Sequence, residues 1–243
     1  HNVGDEYLGR SPKFGRWRDT HMRLEGPAAL GAQIAFVEDW RWAADETLSE
    51  LDWEPARSAN GSAQALVIAS GPADDIETAS LMYTQAINAA TRRIWIASPY
   101  FVPDDAIVQS LQLAALRGVD VRILIPEISD SALVKLAAYS YFDEVSSTGV
   151  RFYRYQDGFL HGKVMLIDES VAAVGTANFD NRSFRLNFEI TSLVAEQDFA
   201  QAVEAMFEED FANSRRMERG EYENKNYLFR VATRIARLAS PIL

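Results

Sequence analysis

The chain has 243 residues, 48% hydrophobic and 24% charged, with a net charge of −11 and a pI near 4.8. That length allows one large domain or two moderate ones with a sizeable core, and the acidic balance argues against a general nucleic-acid binder. There is no cysteine, hence no disulfide framework or thiolate metal site, and His1, His21 and His161 are too scattered to suggest zinc.

No apolar run reaches the length needed to cross a bilayer, and the first residues do not read as a signal peptide. The sequence starts at His1 in a Gly-, Arg- and aromatic-rich stretch and reads as a fragment of a longer protein. Residues 20–25 alternate enough to predict a strand. Pro27 then opens a helix over 28–47, with Leu30, Ile34, Val37 and Trp40 at helical spacing. Residues 50–63 form a polar, Pro- and Gly-containing linker. Strand and helix then alternate. A strand at 64–70 precedes a helix at 74–92, and a strand at 94–98 stops at Pro99. A helix at 104–117 ends at Gly118, and a strand spans 119–125. A helix at 131–147 ends at Gly149, and a strand spans 150–155. Such alternation predicts an α/β sheet covered by helices. A strand at 188–194 follows, then a helix at 199–213 with Phe199, Val203, Met206 and Phe207 on one side.

The chemistry concentrates between 161 and 189: His161-Gly-Lys163, Asp168, Gly175-Thr176-Ala-Asn178 and Glu189. His161 and Lys163 are two apart, so on a strand they leave from one face. Val164, Met165, Leu166 and Ile167 are apolar on both faces, the pattern of a central buried strand that gives the pair a stiff platform. Asp168 is five positions past Lys163 and points to the other side. It reads as a brace or orienter before it reads as a reacting group. Gly175 and Thr176 are small enough to let an anion approach the backbone amides.

A weak internal repeat is present. Residues 178–184, then 186–189, a strand and a helix ending at 207–211 form one copy. Residues 2–8, then 16–19, a strand and a helix ending at 36–40 form the other. Asp19 thereby matches Glu189, and residues 1–49 read as the tail of a first lobe whose own His-x-Lys segment lies upstream of residue 1.

These residues carry a resemblance. His161-x-Lys163-x4-Asp168-x6-Gly175-Thr176-x-Asn178 resembles the HKD motif of the phospholipase D superfamily, with Gly-Thr where Gly-Gly or Gly-Ser is usual. Asp5-Glu-Tyr-Leu-Gly9, Trp17-Arg-Asp-Thr-His21, Ser98-Pro-Tyr-Phe-Val-Pro-Asp104, Ser140-Tyr-Phe142, Gly158-Phe-Leu-His161 and Asp180-Asn-Arg-Ser-Phe184 are similar to bacterial cardiolipin synthases. The resemblance implies a phospholipase D-like fold, a mixed sheet flanked by helices. One lobe is complete (64–214), and 1–49 is the tail of a pseudo-symmetric first lobe. It implies phosphatidyl transfer between two phosphatidylglycerol molecules at the bacterial inner membrane, through a phosphatidyl-histidine and without metal or cofactor. His161, Lys163 and Asp168 are then the catalytic motif. Thr176, Asn178 and Lys163 hold the phosphate oxygens, and a carboxylate such as Glu189 holds the far nitrogen of His161. Such sites use two facing histidines, and this sequence supplies one, since neither His1 nor His21 is followed by Lys at the second position. The partner is the missing first lobe or a second copy. Hydrolysis of a phosphodiester, or a non-catalytic lipid- or partner-binding half, are the rival readings.

Three features stay open. Tyr100 and Phe101 at a strand end suit either a site or core closure. Arg182 and Arg185 suit lipid phosphate or internal ion pairs. The segment 215–243 ends in residues 225–243, which carry Lys225, Arg230, Arg234 and Arg237 and no acid, leaving −15 on the remainder. There Tyr227, Leu228, Val231, Ile235 and Leu238 recur at near-helical spacing. This suits a helix on an anionic membrane surface or one docked on its own domain.

Overall fold

The computed structural model describes residues 4–55, 61–218 and 220–243; Asn2 of the repeat and 56–60 of the linker lie outside them. In chain order the elements begin with β1 Trp17–Arg18, α1 Ala28–Ala44, β2 Gln64–Ser70, α2 Thr78–Ala89, β3 Arg93–Ala97, β4 Phe101–Val102, α3 Asp105–Leu116, β5 Asp120–Pro126, α4 Ala132–Ser146 and β6 Arg151–Tyr155. They continue with β7 Phe159–Leu160, β8 Val164–Ile167, β9 Val171–Gly175, β10 Phe179–Asp180, α5 Asn181–Arg185, β11 Glu189–Ala195, α6 Gln197–Ala212, β12 Ser214–Arg216 and α7 Tyr227–Arg237.

Eight strands form one mixed sheet in the order β12-β6-β5-β3-β8-β9-β11-β2. β6, β5 and β3 run parallel, as strands joined by helical crossovers must. From β3 to β8, β9, β11 and β2 every pairing is antiparallel, and within that half a short turn at 168–170 joins β8 to β9. Helices cover both faces, so the central strands are apolar on both sides. In β8, Met165 and Ile167 join the core under α2, α3 and α4, while Val164 and Leu166 join the one under α6. This is the predicted α/β sandwich.

Most predicted elements end within a few residues of the observed ones. The strand expected at 20–25 is absent. The extended pairing occurs two residues earlier, in β1, and residues 19–24 instead line a cleft, with no neighbouring strand to pair with. β12 carries the sheet to Arg216, so the last sheet strand runs past the predicted end of the lobe at 214. The apolar positions Ile34 and Trp40 of α1 are exposed. Ala35 is the buried residue of that helix, and Gly31 lies so close to Val67 on β2 that a Cβ would meet it at 2.8 Å. Residues 4–55 therefore rest on the lobe that follows them.

Asp168 lies at the far end of β8 from His161, roughly 16 Å along the strand from Lys163 at 3.3 Å per residue. It has a left-handed backbone (φ 50°). Its carboxylate accepts hydrogen bonds from the amides of Thr91, Arg92 and Arg93 and from the Thr91 hydroxyl at 2.8–3.2 Å. Burial pushes this carboxyl up, but those donors outweigh it and hold it below the usual range. It fastens the start of β3 to the end of β8. The expectation that Asp168 belongs to the catalytic set is corrected accordingly: the turn that ends β8 places it away from the cleft, and the alternative of a brace is the one observed. Asp168→Ala removes these acceptors and leaves a β-carbon residue in a left-handed conformation. We expect a loss of about 2 kcal/mol in urea unfolding, with sulfate binding at the cleft unchanged.

Candidate active site

The site forms where β8 begins, β9 ends and β11 begins, beside the carboxyl end of the parallel strand β3. Its cleft of about 520 Å³ is lined by Tyr7, Asp19, Tyr100, His161, Lys163, Gly175, Thr176, Asn178 and Glu189, among others.

His161 is positioned by a segment far away in sequence. β1 pairs in parallel with β7, the amide of Phe159 donating to Arg16 O at 2.8 Å and that of His161 to Arg18 O at 2.7 Å. Gly158 makes this approach possible. Its φ of 103° is left-handed, and a Cβ there would lie 2.1 Å from the Arg16 carbonyl oxygen. Arg18 fixes the segment by a two-pronged ion pair to the buried Asp210 of α6, at 3.0 and 2.9 Å. The next residue, Asp19, then meets the ring: its Oδ2 is 3.0 Å from His161 Nδ1. Tyr7, Trp17 and Phe159 wall the imidazole, with Trp17 centred 4.9 Å from it.

Burial pushes the Asp19 carboxyl up, but the hydrogen bonds from His161 and the Thr20 amide, with the charges of His161 and Lys163, bring it down to about 2. It is an anion at any working pH, and it favours a proton on Nδ1, leaving Nε2 to react. Lys163 Nζ lies 3.0 and 2.9 Å from the two ring nitrogens and donates to His161 O at 2.6 Å. Burial lowers its pKa to about 8, against the pull of Asp19, Glu189, Asp180 and Asp130.

The expected role of Glu189 toward His161 is corrected. Its carboxylate instead accepts from the Thr176 hydroxyl at 2.5 Å and from Asn187 Nδ2 at 3.1 Å, and among the described residues it has no cationic partner within ion-pair distance. The carboxylate on His161 belongs to Asp19, because β1 and not β11 runs beside β7. Gly175 is also read differently. Its amide donates to Lys163 O and that of Thr176 to Ile190 O, so neither is open to an anion. The glycine is required because β11 lies against it: a Cβ would sit 2.5 Å from Thr191 Oγ1. Thr176 is tied to Glu189 and to the Ile190 amide, and Asn178 lines the cleft with its Oδ1 buried and unpartnered.

The open questions about neighbouring residues are answered in part. Tyr100 lines the cleft and donates from its hydroxyl to Asp130 at 2.5 Å, while Phe101 is core. Arg185 pairs with Glu77, an internal ion pair. Arg18 and Asp210 escape sequence reading because 192 positions separate them. Tyr7 and Trp17 fall in motifs that carry the resemblance, but nothing local in the sequence places them against His161.

The family described as cardiolipin synthase, PLD-like domain, matches residues 83–211. Cardiolipin synthase A of Pseudomonas putida is 51% identical over the whole chain, and that of Pseudomonas fluorescens is 49% identical. The chain spans about half the length of these curated relatives (50%). Among solved structures, Nuc of Salmonella typhimurium, a phospholipase D family member, shares the fold with a TM-score of 0.54 at 21% identity, over 64% of this chain and 99% of that one. Phosphatidylserine synthase of Haemophilus influenzae gives 0.62 at 13% identity, over 79% and 51%.

The ammonium of Lys163 lines the cleft, and burial lowers its pKa to about 8. Sulfate affinity, followed by calorimetry, should fall as pH rises through about 8, because a lowered lysine pKa means the charged form is present below that value and lost above it. Lys163→Ala should bind more weakly and lose this slope.

Proposed function

Because the chain belongs to the cardiolipin synthase family of phospholipase D-like proteins, we propose that it supplies one half of a phosphatidyl-transfer site that makes cardiolipin from two molecules of phosphatidylglycerol at a membrane. The observation that carries this reading is the arrangement Asp19–His161–Lys163, a histidine held through Nδ1 by an anion, with an ammonium against its ring.

A phosphodiester is a poor electrophile, and two displacements through a covalent intermediate lower each barrier. In the first, His161 Nε2 bonds to phosphorus as the bond to the departing glycerol oxygen breaks. The glycerol leaves with a proton from an acid on the opposite side. In the second, the head-group hydroxyl of another phosphatidylglycerol attacks phosphorus, the P–N bond breaks, and the hydroxyl proton passes to that same group, now a base. Asp19 stabilises the positive charge on imidazole in between, and Lys163 holds the charge on the non-bridging oxygens.

Electrostatics argues that the other half is needed. The described cleft sets the Lys163 ammonium and the His161 ring against the carboxylates of Asp19 and Glu189. An anionic substrate requires more positive charge than that. Glu189, without a cation of its own, stands where a second histidine would be held as Asp19 holds His161. That fits the internal repeat and the half-length match. The membrane reading does not rest on a spanning segment: no helix among the described residues is long and apolar enough to cross a bilayer.

Incubated alone with phosphatidylglycerol vesicles, the chain should give little or no cardiolipin by lipid chromatography. Addition of a chain carrying a second His-x-Lys lobe should restore synthesis, and His161→Ala should then reduce it by about a thousandfold or more. Robust turnover by the chain alone, or phosphatidic acid as the main product, would overturn the reading, the latter in favour of hydrolysis.

A further inference from the structure

The last helix has its faces arranged in an unusual way. α7 docks on α4 through small residues: Thr233 and Ala236 are buried, and Phe229 packs on Tyr139 with ring centres 5.1 Å apart. The Thr233 hydroxyl lies 2.8 Å from both Arg230 O within the helix and the Tyr222 hydroxyl, and Arg237 pairs with Glu144. This face is fully engaged. The large aliphatic residues point the other way. At 100° per residue, Tyr227, Leu228, Val231, Ile235 and Leu238 fall within one arc of about 100°, opposite the docked side. Leu228 is 77% exposed, Ile235 62% and Leu238 82%, and Ile242 extends the patch at 63%. Arg230 and Arg234 flank the arc on one side, and neither side chain meets an acid within ion-pair distance among the described residues.

We propose that this outer face of α7 is an interfacial element that lies on an anionic lipid surface, with Leu228, Ile235 and Leu238 entering the acyl boundary and Arg230 and Arg234 meeting lipid phosphates. Charge identifies the occupant. Residues 225–243 hold four cations and no acid, in a chain whose remainder carries −15. An anionic membrane repels the acidic remainder and attracts such a patch, so the segment both binds and orients. A second copy of this chain would bring its own basic patch against this one and is disfavoured. Firm docking of the inner face makes the outer face a fixed part of the surface, and no folding transition is needed for it to bind. The proposal deepens the membrane-lipid reading above. Its test reads binding and not turnover, so failure of the catalytic reading leaves it standing.

The chain has no cysteine, so single labels are clean. Leu238→Cys, and separately Ala205→Cys on α6 across the sheet, are labelled with an environment-sensitive fluorophore and mixed with phosphatidylcholine vesicles containing about a quarter phosphatidylglycerol. The label at 238 should shift to the blue and the label at 205 should not. In flotation of the unlabelled chain, a Leu228→Ser/Ile235→Ser variant and an Arg230→Ser/Arg234→Ser variant should each bind about tenfold or more weakly. Leu228, Arg234 and Ile235 are exposed and Arg230 is half-buried, and thermal unfolding should confirm an intact fold. His161→Ala should float as the parent does. Equal flotation of the parent and both variants, no flotation of the parent, or a blue shift at 238 that grows with protein concentration without lipid would each overturn the proposal.

Discussion

The candidate site depends on a two-residue strand. β1 offers only the pairings Trp17 with Phe159 and Arg18 with Leu160, too few to hold a segment in water by themselves. What makes the pairing permanent is the Arg18–Asp210 ion pair behind it. Burial pushes the Asp210 carboxyl up and Arg18 opposes this, so the acid is comfortable only while the arginine is present. Breaking such a pair by removing one partner leaves a buried charge uncompensated, a cost of about 3–5 kcal/mol. Asp19 is the next residue in the chain, so the geometry at His161 inherits that cost as its stiffness. Trp17, tilted against the ring with centres 4.9 Å apart, adds a lateral wall.

This arrangement also settles which carboxylate serves which histidine. A strand beside β7 can place a side chain behind His161, whereas β11 begins on the other side of β9. Glu189 therefore looks across the cleft and not along it, and its neighbours are a hydroxyl and an amide. Among the described residues this carboxylate has no cation within ion-pair distance. The lowered pKa of Lys163 belongs to the same picture. Burial removes water from the ammonium, and the surrounding acids only partly restore its preference for charge.

The strand and helix alternation from 64 to 213 was legible because the elements obey their own periods and several end at a Gly or Pro stop, as at Gly71, Pro99, Gly118 and Gly149. The Val164–Ile167 run declared a buried strand because it is apolar on both faces. The His-x-Lys pair was legible for the same reason, since two residues of like parity at the mouth of that strand must share a side. The brace role of Asp168 followed from parity too, although its grip on residues 91–93 did not. What the sequence concealed was long-range. Nothing local ties Asp19 to His161, 142 positions away, or Arg18 to Asp210. Gly175 looked like an opening for an anion, but a glycine is equally the answer to a neighbouring strand that comes too close. Only the position of β11 distinguishes the two.

Helical periodicity was informative about existence and silent about direction. In α1 and α7 alike small residues sit at the docked face, Gly31 and Ala35 in one, Thr233 and Ala236 beside Phe229 in the other, while several of the large apolar residues that produced the signal, Ile34 and Trp40 in α1 and Leu228, Ile235 and Leu238 in α7, face outward. Small residues dock because they let a helix approach its support closely, so the long side chains are the ones left over. The charge beside each stripe then separates the two helices. α1 carries Glu38 and Asp39 against one Arg41, and its exposed Trp42 packs on Phe188, ring centres 5.1 Å apart, in the cavity next to the cleft. An anionic bilayer would repel that surface. α7 carries arginines and no acid, and it sits on α4, on the flank of the sheet away from α6. Of the two apolar stripes, the one on α7 has the electrostatics of a lipid contact.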